Sequence, residues 1–172
     1  MKVLAKDIMQ QQVKTVRPEL PLPDLEKRFV DDGVSGFPVV DQQQNVLGVV
    51  TATDVLQHLC EERRNLESSV GFYDDSPHAS FDSLSDEWIS AEIGKRADHL
   101  VVADVMNDDV ISLPPTASLH DVAALMSDMN IHRILVVDAG HLVGILTSLD
   151  VVRACGNDDI DITFVPPPIL DF

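Results

Sequence analysis

Laid on itself at an offset of 97, this chain of 172 residues repeats: residues 5–41 match residues 102–138 in chemical character almost throughout. Ten pairs are identical, namely Asp7/Asp104, Met9/Met106, Val13/Val110, Pro18/Pro115, Leu22/Leu119, Asp24/Asp121, Asp31/Asp128, Val39/Val136, Val40/Val137 and Asp41/Asp138. After a turn shortened by one residue the offset becomes 96, and Gly48/Gly144, Thr51/Thr147, Asp54/Asp150 and Val55/Val151 continue the match. Two copies at so long a period exclude a solenoid of short repeats and point to a tandem pair with pseudo-two-fold symmetry. A copy of about 50 residues has trouble closing a core alone, so packing of one copy against the other is the expected source of stability.

Within each copy the hydrophobic period switches in a fixed order. Val13–Val16 and Val110–Leu113 are short β-branched runs ended by Pro18 and by Pro114-Pro115. Leu22, Leu25, Phe29 and Val30 then recur at helical spacing, as do Leu119, Val122, Leu125, Met126 and Met129, with Ser118 placed to cap the second helix. Two apolar runs joined by a polar turn follow, 37–40 with 46–50 and 134–137 with 142–146, which predicts a hairpin in each copy. The second strand of each hairpin runs straight into Thr-x-x-Asp and another helical stretch. Short helices through Asp7-Ile8-Met9 and Asp104-Val105-Met106 lead into the copies. The fold class is therefore α+β (mixed α/β), with two pseudo-symmetric repeats, each a small three-stranded sheet with flanking helices.

The expected organisation is a first repeat over 1–60, an acidic insert over 61–101, a second repeat over 102–155 and a C-terminal arm over 156–172. From residue 57 to 101 there are ten acidic and four basic side chains. The helix after Asp54 extends through Leu66, residues 71–82 read as a polar loop, and a short helix is expected over 84–93 with Trp88 as its packing anchor. The arm, with Pro166-Pro167-Pro168 between apolar ends, is extended and available to dock on its own domain or on a second subunit.

Composition excludes several functions. With 12 basic and 29 acidic residues the net charge is −17, which repels phosphate backbones and anionic lipid, and no local basic stripe offsets it. No apolar run approaches the roughly 18 to 20 residues that span a bilayer, and charge comes too early for a signal peptide, so the chain reads as cytoplasmic. Cys60 and Cys155 lack ligand spacing and read as buried or idle thiols. Asp74-Asp75 and His78 read as a solvated turn, so no metal is expected. No P-loop, H-E-x-x-H, G-x-S-x-G or Rossmann fingerprint occurs, and the expectation is that the chain is not an enzyme.

The Thr-x-x-Asp corners, Thr51 with Asp54 and Thr147 with Asp150, have two readings. One is a capping box, in which the hydroxyl accepts from helix amides and the carboxylate is favoured by the helix dipole. In the other, a strand-to-helix junction offers amides and a hydroxyl to an anion while the carboxylate accepts both hydroxyls of a ribose. A cap alone does not require the same upstream strand and glycine, and the whole context occurs twice.

These residues resemble the CBS domains, named for cystathionine β-synthase, which usually occur as tandem pairs. The resemblance covers residues 3–56 and 100–155 and rests on the leading Asp-Ile-Met and Asp-Val-Met, the segments Gly33–Asp41 and Asn130–Asp138, and the two Gly-h-h-Thr-x-x-Asp ends, where h is apolar. It implies a regulatory module with two clefts between the copies that bind an adenosine-containing ligand such as AMP, ADP, ATP or S-adenosylmethionine, and no cofactor in the catalytic sense. Carried over by position, Asp54 and Asp150 would hold ribose, with Thr51 and Thr147 near phosphate. Val34, Ser35, Gly36 and Pro38 would line one base pocket and Ile131, His132, Arg133 and Leu135 the other, with Thr15 and Ser112 at the edges.

The copies differ within these segments. Leu135 stands opposite Pro38, Asn130 opposite Gly33, and Arg133 opposite Gly36, so the two clefts need not both be occupied. His132-Arg133 is the best phosphate candidate. Beyond Arg133 the nearby cations are Lys14, Arg17 and Arg153, few for a triphosphate entering a field of this sign, which ranks AMP above ATP. The competing reading is a ligand-free dimerisation scaffold working through the acidic insert or the arm. Either way a homodimer is expected, since the apolar faces Leu25/Phe29 and Val122/Met126/Met129 are broad. The controlled protein partner is not legible in the sequence.

Overall fold

The computed structural model describes residues 3–73 and 94–156, with the side chains of 66–73 outside that description. The polar segment from residue 74, the helix expected over 84–93, Trp88, the Asp74-Asp75/His78 group and most of the C-terminal arm fall outside the described residues. The elements in chain order are α1 (Ala5–Ile8), α2 (Leu22–Asp32), β1 (Gly36–Val40), β2 (Val46–Thr51), α3 (Ala52–Tyr73), α4 (Val102–Val105), β3 (Ser112–Leu113), α5 (Leu119–Asp128), β4 (Arg133–Asp138), β5 (His141–Thr147) and α6 (Ser148–Gly156). Mixed helix and small sheets in two repeats are what the periodicity predicts. Helix α3 runs through Gly71 to Tyr73, three residues into the stretch whose polarity predicts a loop.

The chain forms two compact units, and neither coincides with a sequence repeat: one is Lys14–Val110, the other Met1–Val13 together with Ile111–Phe172. Each leading segment has moved to the sheet of the opposite copy. In the unit of residues 14–110, β1 and β2 pair antiparallel with Gly36 opposite Thr51. The segment after α4 lies along β2, where Asn107 and Val49 exchange two backbone bonds of 2.8 and 2.9 Å. Val102 and Val105 of α4 join Val16, Leu22, Leu25, Phe37, Val39, Val50 and Val55 in its core. The rings of Phe29 and Phe37 stack there with centroids 5.4 Å apart, a geometry worth about 0.5–1.5 kcal/mol beyond area burial.

The other unit repeats the arrangement. Its sheet has the order β3-β4-β5, with β3 parallel to β4 and β5 antiparallel to it. Gln10, just past α1, exchanges two backbone bonds of 2.9 and 3.0 Å with Ile145 of β5. Ala5 is fully buried with Val122, Met126, Ile134, Val136 and Leu146. Both leading helices start on the same device: the Asp7 carboxylate accepts from the Leu4 amide and the Asp104 carboxylate from the Val101 amide, each at 2.9 Å. Ser118 caps α5 as its position predicts, its hydroxyl accepting from the Asp121 amide.

The expected third strand of the first copy is reduced to one bridge, Val16 beside Val39. The cause is covalent. Val16 donates to the Pro38 carbonyl and accepts from the Val40 amide, but the next ladder bond would run from the amide of residue 38 to Lys14, and proline has no N–H. In the second copy Leu135 fills that position, its amide reaches the Ile111 carbonyl at 3.4 Å, and β3 forms.

The motif glycines make the exchange possible. A Cβ on Gly48 would lie 2.7 Å from the Asn107 carbonyl oxygen, and one on Gly144 would lie 2.5 Å from the Met9 sulfur and 3.1 Å from the Gln10 carbonyl oxygen. The backbone at Asn107 therefore approaches β2 closer than a side chain at 48 permits, while at 144 the Met9 side chain fills the space a Cβ would take.

Candidate functional site

Both Thr-x-x-Asp corners sit where a β-strand turns into a helix, and their internal bonding is the same. Thr51 donates to Asp54 Oδ2 through its amide and its hydroxyl, both at 2.7 Å, and its hydroxyl accepts from the Asp54 amide at 3.2 Å. Thr147 donates to Asp150 Oδ2 at 2.9 Å from the amide and 2.6 Å from the hydroxyl, with the return bond at 3.3 Å. The same geometry caps α5 at Ser118 and Asp121. The capping box is thus real at both corners, and it consumes one carboxylate oxygen while leaving the other for further partners.

The second oxygens differ. Asp54 Oδ1 accepts no hydrogen bond among the described residues. Asp150 is buried, 7% exposed, and the Gln10 side-chain amide lies 3.4 Å from both its oxygens, while Arg153 Nη1 lies 3.7 Å from Oδ1. Burial pushes the Asp150 carboxyl up, but the Thr147 hydroxyl and amide, the Gln10 amide and the Arg153 charge outweigh it and hold the group below the ordinary carboxylate value.

Strand register sets Gly36 and Arg133 directly against these corners, and the other predicted residues lie further along the chain. Gly36 is opposite Thr51, and the Ser35 carbonyl accepts from the Ala52 amide. Arg133 is opposite Thr147, and the His132 carbonyl accepts from the Ser148 amide. Val34 precedes β1 and Ile131 precedes β4. Pro38 and Leu135 are buried in the middle of those strands, with Ser112 beside Leu135 on β3. Thr15 stands apart from its corner's strand pair: its carbonyl accepts from Arg28 at 3.4 Å, and it lines an open notch of about 460 Å³ with Arg17, Glu19, Leu20 and Arg28. Of the predicted cations, Lys14 is paired with Asp32 and Arg17 donates to the Val40 carbonyl. Among the described residues no cluster of three or more His, Cys, Asp or Glu side chains forms a metal site, and no helix is long and apolar enough to cross a membrane.

Gln10 is the site neighbour that sequence reasoning missed. Its only signal was alignment with Asn107 directly after the Met9/Met106 pair, which reads as loop polarity until the leading segment is seen to lie on β5.

The CBS domain model matches residues 5–61 and 102–157, the two regions that carry the corners and their sheets. The chain belongs to the CBS domain family. Its two CBS repeats are 34% identical over 146 residues to the chloroplastic CBS domain-containing protein CBSX2 of Arabidopsis thaliana, a match covering 84% of this chain and 59% of that one. A second relative, the uncharacterised protein MJ1426 of Methanocaldococcus jannaschii, is 29% identical over 153 residues, covering 88% of this chain and 90% of its own. The chain thus spans about three-fifths of CBSX2 and most of the archaeal relative. Among solved structures, that of CBSX2 in complex with AMP superposes with a TM-score of 0.65 at 27% identity, covering 91% of this chain and 98% of that one. The CBS domain pair of protein MJ0100, solved with 5-methylthioadenosine and S-adenosyl-L-methionine, shares the fold at a TM-score of 0.59 and 21% identity.

Proposed function

We propose that this chain is a regulatory module that binds an adenosine-containing ligand at its Thr-x-x-Asp corners, with AMP favoured over ATP. The observation that carries the reading is the division of labour inside each aspartate. Oδ2 is committed to threonine, so the helix start is rigid before any ligand arrives, and Oδ1 is the oxygen that faces a ribose hydroxyl, uncontested at Asp54 among the described residues and shared with Gln10 and Arg153 at Asp150. The AMP complex of CBSX2, similar in sequence and fold, supports the ligand class. The triphosphate is disfavoured by the net charge of −17 and because Lys14 and Arg17 are already engaged. Arg133 and Thr147, opposite each other across β4 and β5, are the proposed phosphate contacts of one corner and Thr51 that of the other. Val34, Ser35, Gly36 and Pro38 in one copy and Ile131, His132 and Leu135 in the other flank the base, with Thr15 and Ser112 at the edges.

Such a module acts by differential affinity: the ligand favours one arrangement of a dimer that a protein partner reads. Of the helix faces expected to dimerise, Leu25, Val122 and Met126 are buried in the cores, so the proposed homodimer rests instead on Leu56 and Val152, equivalent positions of α3 and α6, which are 63% and 64% exposed. The chain is then a sensor and not a catalyst. Isothermal titration of AMP and ATP tests the reading: Asp54→Ala and Asp150→Ala each remove binding at their own corner while the far-UV spectrum is retained. ATP binding at least tenfold more tightly than AMP reverses the ligand ranking. The scaffold reading keeps one observation in its favour, that both corners are complete as helix caps without a ligand, and it requires no adenosine compound to bind at millimolar concentration.

A further inference from the structure

The two corners are equal in sequence motif and unequal in occupancy. At the first, Asp54 Oδ1 accepts no hydrogen bond among the described residues. The position matching Gln10 is Asn107, whose side-chain oxygen is turned to its own loop and accepts from the Asp109 amide at 2.9 Å. The position matching Arg153 is Gln57, which carries no charge. At the second, the Gln10 amide stands 3.4 Å from both oxygens of Asp150 and Arg153 3.7 Å from Oδ1. Gln10 is not there by side-chain chance. Its backbone is tied by two hydrogen bonds to Ile145, five residues before Asp150, so the exchanged leading segment delivers its side chain to this carboxylate.

Resting on the adenosine reading above, we infer that Gln10 is a specificity-determining residue that holds the ribose-accepting oxygen of Asp150 and makes this corner the weaker of the two. A ribose hydroxyl entering at Asp54 meets an acceptor with no competitor. One entering at Asp150 shares Oδ1 with the Gln10 amide at 3.4 Å and the Arg153 guanidinium at 3.7 Å. At 3.4 Å the Gln10 bonds lie at the long, weak end of the range, and Gln10 itself is exposed, so the latch opens at modest cost and does not close the corner outright. Filling therefore proceeds in order, Asp54 first and Asp150 at higher ligand concentration, which gives the chain two thresholds for one ligand.

The test is isothermal titration of AMP into the full chain and its Asp54→Ala, Asp150→Ala, Gln10→Ala and Gln10→Glu variants, with the Asp150 carboxyl followed by carbon NMR. The tighter event is expected to vanish in Asp54→Ala and the weaker in Asp150→Ala. Gln10→Ala tightens the weaker event by roughly three- to tenfold, the worth of about one hydrogen bond, and leaves the tighter event unchanged. Gln10→Glu weakens the second event further and raises the Asp150 titration midpoint, a readout that a merely structural role would not move. A Gln10→Ala variant whose second event is unchanged or weaker overturns the inference, as does a tighter event that belongs to Asp150. No heat from folded wild type at millimolar AMP overturns the adenosine reading itself, an outcome distinct from both.

Discussion

At Asp150 desolvation and hydrogen bonding pull the same carboxylate in opposite directions, and hydrogen bonding wins. Because its folded pKa lies below the unfolded value of about 3.9, the ionised group stabilises the fold fully above that value, and the contribution is lost as pH falls through the folded pKa. Asp150→Asn is expected to lower unfolding free energy at pH 7 by about 1 kcal/mol, the usual worth of a cap. In urea titrations the gap from wild type should narrow as pH drops below about 4. The motif glycines make a second residue-scale contrast. Gly48→Ala sets a methyl against the Asn107 backbone carbonyl, which cannot turn away, whereas Gly144→Ala first meets the pliable Met9 side chain. Overpacking of this kind costs about 1–3 kcal/mol, and denaturant midpoints should place Gly48→Ala at the larger loss.

Among elements, helices were the most legible in the sequence and the sheet edges the least. Leu22/Leu25 and Val122/Met126 at helical spacing are the buried faces of α2 and α5, and Ser118 announced the start of α5 through side-chain chemistry visible in four residues. Replacing Ser118 with Ala removes the acceptor for the Asp121 amide and is expected to cost about 1 kcal/mol in equilibrium unfolding. Val13–Val16 has the composition of a strand without forming one, because its pairing depends on a donor in another element. Pro38 withholds that donor. Pro38→Leu is expected to restore it, and hydrogen exchange should then show a protected amide at residue 38 bonded to Lys14, matching Leu135 and Ile111. An amide at 38 that exchanges as freely as an exposed turn would disprove the account.

For the whole molecule, the repeat and both Thr-x-x-Asp corners could be read from identity at fixed offsets, because a motif is local. Which sheet a leading helix joins could not: Asp7-Ile8-Met9 and Asp104-Val105-Met106 are so alike that either suits either host, and only the backbone path decides. The consequence is measurable with fragments. Residues 14–110 hold every piece of one compact unit and are expected to give a cooperative unfolding transition, whereas residues 1–60, a full sequence repeat without α4, should not; circular dichroism melts of the two peptides check this. The same crossing of strands governs what a protease can achieve. A single cut between residues 74 and 93 yields one piece carrying α1 with β1 and β2, and another carrying α4 with β3 to β5. Each piece then owns a part of both units, like two hands with fingers interlaced, so the severed chain should migrate intact on a native gel and part only in denaturant.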